Sequence, residues 1–349
     1  MALNNTEHRI DVVQVSKSIV NDLNLVSERF IIYLPLIFLI FGFIGFIGNI
    51  FTYLQAELRS NTCCIYSLCG SIIDIINLSL NLFPNYLAAK YKIYIPWYTS
   101  RITCKLNVFI LAFLPHLSIN FLVMAIIDRF ACTCKLTSSI RRLNQLKMVP
   151  WMITIIIISS CLISSNAPIL YDLMYGYWCI STQPKLNSIL YTILSGVMQP
   201  VIMLIFVLLT YRNIHQSHRR VGRVTITQRK SLQKQFIVMT FAQVFVTALL
   251  SLQWIIVYTY FSFTADYKRS YEQWSVLFFV FSLTNNCYYI NNVKSFYLSI
   301  LTSHIFRKTF VKGLIDILPR YLCQQYQVSQ IQPSMATITR IRPRDISKR

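Results

Sequence analysis

Polar side chains stand at a few positions inside the apolar stretches of this chain, and their types suit the binding of a small cation. Asp74 lies in the middle of one stretch, and Asn49, Ser118, Asn291 and Asn292 lie in three others. An ionised carboxylate in lipid costs about 2.5–3.5 kcal/mol on insertion scales, so Asp74 must find partners or take up a proton. Two interpretations stay open and can coexist: a sodium site built on Asp74 and Ser118, or a hydrogen-bond cluster that joins helices.

The triplet Asp128-Arg129-Phe130 stands at the end of another apolar stretch. The guanidinium group of Arg129 can pair with the adjacent carboxylate or reach another helix, and either contact would suit a switch. Arginine at a helix end also commonly extends to the membrane surface as a simple anchor. The triplet alone does not separate these two interpretations.

Catalytic chemistry has little support in the sequence. We find no nucleophile elbow, no phosphate-binding loop among the eight glycines, and no Cys-x-x-Cys or histidine cluster at metal-ligand spacing. The five histidines are scattered, and His116 beside Pro115 is expected to be a packed or pocket-lining ring. We expect a protein that is not an enzyme, with no catalytic residue, no metal centre and no cofactor, apart from the sodium ion considered at Asp74.

Seven apolar stretches position these residues, and each reaches the about 20 residues that a helix needs to cross a bilayer. Hydrophobic residues make up 55% of the chain and charged residues only 13%, which excludes an ordinary soluble domain. The predicted fold is an all-α seven-transmembrane bundle at 30–301, with an outer tail at 1–29 that shows no cleavable signal peptide and a cytoplasmic segment at 302–349. The stretches lie at 30–56, 63–89, 102–130, 148–171, 187–211, 235–263 and 273–301.

The distribution of charge predicts the orientation in the membrane. The net charge is +21, and Lys and Arg concentrate in alternate connections, at 131–148 and 212–234, and after residue 301. Short basic loops stay cytoplasmic, so we expect an outer N-terminus and an inner C-terminus in the plasma membrane. The same basic residues suit contact with anionic membrane lipid. Because they follow the topology, we expect no nucleic-acid partner.

Covalent features follow from this orientation. Of the ten cysteines, only Cys104 and Cys179 fall on the outer, oxidising side, so they form the one candidate disulfide there. Asn4 begins a glycosylation sequon on the outer tail. On the inner side, Cys323 is a candidate for palmitoylation, with a free thiol as the alternative.

An amphipathic helix is predicted after the seventh stretch. Phe306, Phe310 and Leu314 recur at helical spacing, with basic residues between them. Such a helix would lie on the inner leaflet with its apolar face in the lipid.

In order and spacing, these residues resemble the rhodopsin-like (class A) family of G-protein-coupled receptors. Cys104 opens the third stretch and Arg129 follows 25 positions later, as in that family. Cys179 lies in the second outer loop, where the family places the partner of Cys104. Further matches in register, within about residues 30–313, are Gly48-Asn49, Asp74, Trp97, Trp151 and Pro200.

The departures from the family pattern indicate a divergent member. Phe130 stands where the family more often has Tyr, and Gln253 stands where the sixth stretch usually has a kink-forming Pro. The seventh stretch reads Asn291-Asn292-Val293-Lys294-Ser295-Phe296-Tyr297 instead of Asn-Pro-x-x-Tyr. We expect Tyr297 to replace the family's tyrosine and Lys294 to extend towards the cytosol.

The resemblance implies a receptor that an outer ligand shifts between two packings of the bundle. In the resting packing Asp128 would hold Arg129. In the active packing the fifth and sixth stretches would part on the inside, and a heterotrimeric G protein would dock. The switch residues implied are Asp128, Arg129, Phe130 and Tyr297.

The ligand is narrowed by elimination to a peptide or another non-amine molecule. Amine receptors of the family carry an Asp where this chain has Leu111, and opsins carry the retinal lysine where it has Asn285. Candidate ligand contacts are Trp97, Asp172, Trp178, Tyr258 and Glu272. The aromatic residues of the outer side suit an interfacial belt better than a ligand site. Two alternative functions stay open: a seven-span ligand-gated channel or transporter, and a membrane scaffold that does not signal.

Overall fold

The structure is a computed structural model that describes residues 20–56, 58–93, 100–134, 139–174, 178–220 and 227–317. This part of the chain is mostly helical, so the all-α class fits. Six of its helical stretches are long and apolar enough to cross a membrane: Val20–Tyr53, Thr62–Tyr91, Arg101–Thr133, Leu146–Leu170, Pro184–Gln216 and Ile237–Phe263. They agree closely with the first six predicted stretches, except that the first begins earlier, with residues 20–29 already helical. The chain is compatible with a multi-pass membrane protein.

Twelve α-helices are numbered here in chain order. They are α1 (Leu34–Tyr53), α2 (Thr62–Asn77), α3 (Phe83–Tyr91), α4 (Arg101–Thr133), α5 (Val149–Ser164), α6 (Asn166–Leu170), α7 (Pro184–Tyr191), α8 (Gln199–Arg220), α9 (Thr227–Phe263), α10 (Tyr271–Tyr289), α11 (Lys294–Thr302) and α12 (His304–Ile317).

The seventh predicted stretch is divided into two helices. α10 ends at Tyr289, a short 3-10 turn covers Ile290–Asn292, and α11 begins at Lys294. Neither piece is among the six candidate spans of the described chain, so the count of seven stays a prediction.

Two spans contain a widened, π-helical segment just before a proline. Leu78–Leu82 precedes Pro84, and Thr192–Met198 precedes Pro200. A proline in a helix lacks the N–H that would bond the carbonyl four residues earlier, and its ring clashes with that carbonyl. The wider turn accommodates both effects. By contrast, α9 contains no proline and runs unbroken past Gln253.

In the part of the chain that the structure describes, one short β-hairpin lies in the connection between α6 and α7. Strand β1 (Tyr171–Met174) pairs antiparallel with β2 (Trp178–Ser181), with Leu173 opposite Cys179. The all-α prediction did not include this hairpin. It lies beside the N-terminal end of α4, to which it is linked by the contacts described below.

Large apolar side chains cover the outside of the bundle. On α5, the exposed fraction is 69% for Trp151, 54% for Ile155 and 69% for Leu162. Exposure of so large an apolar surface to water is unfavourable, whereas contact with lipid chains is not. Inside, α2 packs on α4 through Tyr66, which is fully buried against neighbours that include Phe121.

Candidate functional site

Asp74 lies at the centre of a buried hydrogen-bond cluster that joins three parts of the bundle. Its Oδ1 accepts a hydrogen bond from Ser118 Oγ on α4 at 2.5 Å. The same oxygen accepts a second bond from Asn292 Nδ2 at 2.7 Å. Only 7% of Asp74 is exposed. The three residues therefore tie α2 to α4 and to the turn that precedes α11.

Asn49 and Asn291, which we expected in the cluster, have partners other than Asp74. Asn49 Nδ2 donates to Ser71 Oγ at 3.0 Å, one turn of α2 before Asp74. Asn292, not Asn291, reaches Asp74. The cause is the 3-10 turn at Ile290–Asn292, because a tighter turn rotates its side chains relative to a continuous α-helix.

Lys294 is buried in the bundle, whereas we expected it to extend towards the cytosol. Its exposed fraction is 8%, and its Nζ donates to Asn291 Oδ1 at 2.6 Å and to the Asn291 carbonyl at 3.0 Å. Lys294 is the first residue of α11, and helical side chains tilt towards the helix N-terminus. The ammonium group is therefore directed back along the bundle, where it lines a cavity of about 50 Å³ together with Asp74.

Near the C-terminal end of α4, Asp128 is bound by residues that the sequence analysis did not identify. Its Oδ1 accepts from Thr62 Oγ1 at 2.7 Å and from Asn144 Nδ2 at 3.0 Å. Asp128 is fully buried. The carboxylate therefore holds the first turn of α2 and the connection after α4 against the end of α4.

Arg129 is directed to a different neighbour and to the bundle interior. One terminal nitrogen of its guanidinium donates to Asn61 Oδ1 at 3.2 Å. Asn61 is also the residue that caps the N-terminus of α2. Arg129 lines a small cavity of about 10 Å³ with Val207 of α8 and Thr240 of α9.

The other two residues of the predicted switch lie apart from each other. The ring of Phe130 packs edge-on against Phe206 of α8, with ring centres 5.5 Å apart. Tyr297 lies against α1, where its hydroxyl donates to the carbonyl of Phe41 at 3.0 Å. The structure thus keeps Phe130 beside the Arg129 region but places Tyr297 on the α1 side, because α11 restarts after a break and presents a different face.

The N-terminal end of α4 is attached to the β-hairpin by two links. A disulfide joins Cys104 to Cys179, with Cα atoms 5.6 Å apart. Arg101 forms an ion pair with Asp172, donating from Nε to Oδ1 at 2.7 Å and from a terminal nitrogen to Oδ2. These hydrogen bonds hold the pKa of the Asp172 carboxyl below its usual value. Asp172, a candidate ligand contact, therefore already has a cationic partner.

Tyr258 lies in an aromatic group between α7 and α9. Its hydroxyl accepts from Asn187 Nδ2 at 2.6 Å, and its ring contacts Tyr191 and Trp254 at centre distances of 5.4 and 5.6 Å. Nearby, His116 of α4 makes a 2.9 Å hydrogen bond with Ser195 through Nε2. Polar and aromatic side chains of α4, α7 and α9 thus lie together in this part of the bundle.

The remaining candidates are dispersed or lie outside the described residues. Glu272 is half-buried in the first turn of α10. Trp178 belongs to β2, and only its backbone is described. Asn4, Trp97 and Cys323 lie outside the described residues. Within the described part of the chain, no group of three or more His, Cys, Asp or Glu side chains is placed to hold a metal ion.

Sequence reasoning missed Thr62, Asn144, Asn61 and the burial of Lys294. Asn61 carried a usable signal, since Asn immediately before a helix is a preferred N-cap. The other three depend on which helices meet in space, and no local pattern marks them. No family model and no curated protein sequence matches the chain.

Proposed function

We propose that the chain is a rhodopsin-like G-protein-coupled receptor of the plasma membrane. It would bind an extracellular peptide or another non-amine ligand and activate a heterotrimeric G protein. The observation that carries this proposal is the arrangement along α4. Cys104 is bridged to Cys179 at one end, and Arg129 lies beside α8 and α9 at the other.

A seventh crossing by α10 and α11 is part of the proposal. α10 has 19 residues, which gives about 28 Å at a rise of about 1.5 Å per residue. With α11 added, the segment exceeds the hydrocarbon thickness of about 30 Å. Asn292 is bonded to Asp74, and Gln243 Nε2 donates to Ser299 Oγ at 3.2 Å, so the break and α11 are both packed inside the bundle. An odd number of crossings then places the termini on opposite sides.

The inner half supplies an element that can exist in two arrangements. Arg129 is held by Asn61 and shares a small cavity with α8 and α9. Parting of α8 from α9 would widen this cavity and let the guanidinium reach a docked protein. Asp128, bound to Thr62 and Asn144, would keep the end of α4 in place during this change.

The outer half supplies the ligand surface. Tyr258, Asn187 and Tyr191 face the interior above the Asp74 cluster, and the hairpin is anchored at the end of α4. A basic group of a peptide would have to compete with Arg101 for Asp172, whereas Glu272 forms no ion pair with another of the described residues. We therefore expect Glu272 to contribute more to recognition of a basic ligand than Asp172.

The test is ligand-driven nucleotide exchange in membranes that express the chain with G protein. A peptide library screened in cells that report calcium and cyclic AMP identifies the stimulus. Arg129→Ala is expected to abolish exchange while leaving surface expression intact. Arg142→Ala, which removes an exposed arginine from the same side of the protein, is the matched control and should retain exchange.

Three outcomes would contradict the proposal in different ways. Unchanged exchange in Arg129→Ala would remove the role assigned to Arg129. A response absent under every stimulus and under overexpression would remove the signalling function and favour a scaffold. A ligand-evoked current that persists without G protein would favour the channel.

A further inference from the structure

We propose that Lys294 is the built-in cation of the Asp74 cavity, and that this cavity therefore binds no sodium ion. Lys294 would balance the charge of Asp74 inside the bundle. This role does not depend on coupling to a G protein, and it replaces the sodium site that the sequence left open.

The side chains that line the cavity carry no net charge. The residues that line it include one carboxylate, Asp74, and one amine, Lys294. Their formal charges cancel when both are ionised, and the sum is also zero when the proton has moved to the carboxylate. A sodium ion would add a positive charge with no second anion to balance it. An unbalanced charge in a low-dielectric interior is strongly disfavoured.

Oxygen atoms that could bind a cation near the cavity already accept hydrogen bonds. Asp74 Oδ1 already accepts two hydrogen bonds, from Ser118 and from Asn292. The side-chain and main-chain oxygens of Asn291 both accept from the Lys294 ammonium. Donors therefore already occupy Asp74 Oδ1 and both oxygens of Asn291, and the two bonds to Asn291 come from the ammonium group that Lys294→Met would remove.

The Lys294 ammonium group is held at the cavity by its attachment to α11. An ammonium has three N–H donors, and Asn291 takes two of them, which leaves one for the cavity that Asp74 lines. Because Lys294 is covalently attached to α11, its presence at the cavity is intramolecular and does not depend on the concentration of cations in solution. The chain thus carries its own counter-ion between α2 and the seventh stretch.

The experiment measures thermal unfolding of the purified full-length protein in detergent. The midpoint is compared in sodium chloride and in N-methyl-D-glucamine chloride at equal ionic strength. The wild-type midpoint should be the same in both salts. Lys294→Met should unfold at a higher temperature in sodium chloride, since removal of the amine leaves Asp74 free to take a sodium ion that stabilises the folded state by mass action.

Two further variants make the result specific. Asp74→Asn combined with Lys294→Met should lose the sodium response. Lys308→Met, which removes an exposed lysine of α12, is the matched control, and its unfolding midpoint should be the same in both salts. A sodium-specific rise in the wild type, or no rise in Lys294→Met, would overturn the proposal.

The wild type alone provides a second measurement in case Lys294→Met does not fold. Sodium-23 relaxation in the presence of the purified wild type should match that of a detergent blank. A protein-dependent increase that Asp74→Asn removes would show a sodium site at Asp74 and would contradict the assignment of Lys294.

Discussion

Thr62 Oγ1 donates to Asp128 Oδ1 at 2.7 Å, and this bond ties the first turn of α2 to the last turns of α4. Asn144 Nδ2 lies 3.0 Å from both atoms that form it, Thr62 Oγ1 and Asp128 Oδ1. The three polar side chains close a small network that is partly or fully buried. The carboxylate before Arg129 is thus engaged by α2 and by the connection after α4.

Thr62→Val is expected to destabilise the bundle by about 0.6 kcal/mol and by no more than about 1.7 kcal/mol, the mean and the maximum that double-mutant cycles give for hydrogen bonds between membrane helices. The substitution keeps the side-chain shape and removes the donor to Asp128. Thermal unfolding in detergent measures the change. Thr154→Val is the control, because the exposed Thr154 hydroxyl donates only to Pro150 of its own helix. Equal effects of the two substitutions would contradict a special role for Thr62.

Removal of either half of the disulfide should lower stability by the same amount. The bridge closes a segment with a sequence separation of 75, for which the chain-entropy model gives up to about 4.5 kcal/mol. Cys104→Ser and Cys179→Ser should each lower the unfolding temperature, and the double variant should be no worse than either. Cys161→Ser changes an exposed free cysteine and should have no effect. Additive losses in the double variant would show that the two cysteines act separately.

The Arg101–Asp172 ion pair should impose a pH dependence confined to acid conditions. Since hydrogen bonds from Arg101 lower the pKa of Asp172, the pair contributes fully above the ordinary carboxyl pKa of about 3.9. Its contribution is lost as the pH falls through the lowered value. Carboxyl NMR titration, with Asp172→Asn to assign the signal, measures this pKa.

Arg101→Gln should return the pKa of Asp172 towards its ordinary value. Lys105→Gln should change it less, because Lys105 acts on Asp172 only through its charge and is the weakest of the contributing groups. A pKa that is unchanged in Arg101→Gln would be evidence against the ion pair.

Two glycines of the spans should respond oppositely to alanine. A methyl group at Gly48 would overlap the ring of Phe296, which is 5% exposed and packed between Phe306 and Phe310. The ring has little room to move, so we expect Gly48→Ala to destabilise by about 1–3 kcal/mol.

Gly70→Ala is the matched control on α2. Its methyl group would meet Phe121 Cβ at an ordinary 3.5 Å, so the gain in helix propensity of about 0.5–1 kcal/mol should prevail. Thermal unfolding of the two variants in one detergent tests the contrast. A stable Gly48→Ala protein would mean that Phe296 can repack.

The sequence alone was sufficient for the elements whose cause is local. Apolar length located six helices, with only the start of the first differing by as much as ten residues, because crossing lipid requires a run of about 20 apolar residues wherever it occurs in the chain. The assignment of charged loops to one side left Cys104 and Cys179 as the outer pair, and the structure joins them. The position of Ser118 along its span likewise predicted that it lies near Asp74, and the two side chains are hydrogen-bonded.

Only the tertiary structure decided which polar side chains meet. Thr62 and Asp128 are 66 residues apart, and Asp74 and Asn292 are 218 apart, so no local pattern relates them. The choice of Asn292 over Asn291, the burial of Lys294 and the position of Tyr297 against α1 all follow from one break at Ile290–Asn292. A small change in turn geometry rotates every following side chain, and such a rotation is set by packing between helices, which apolar length does not encode.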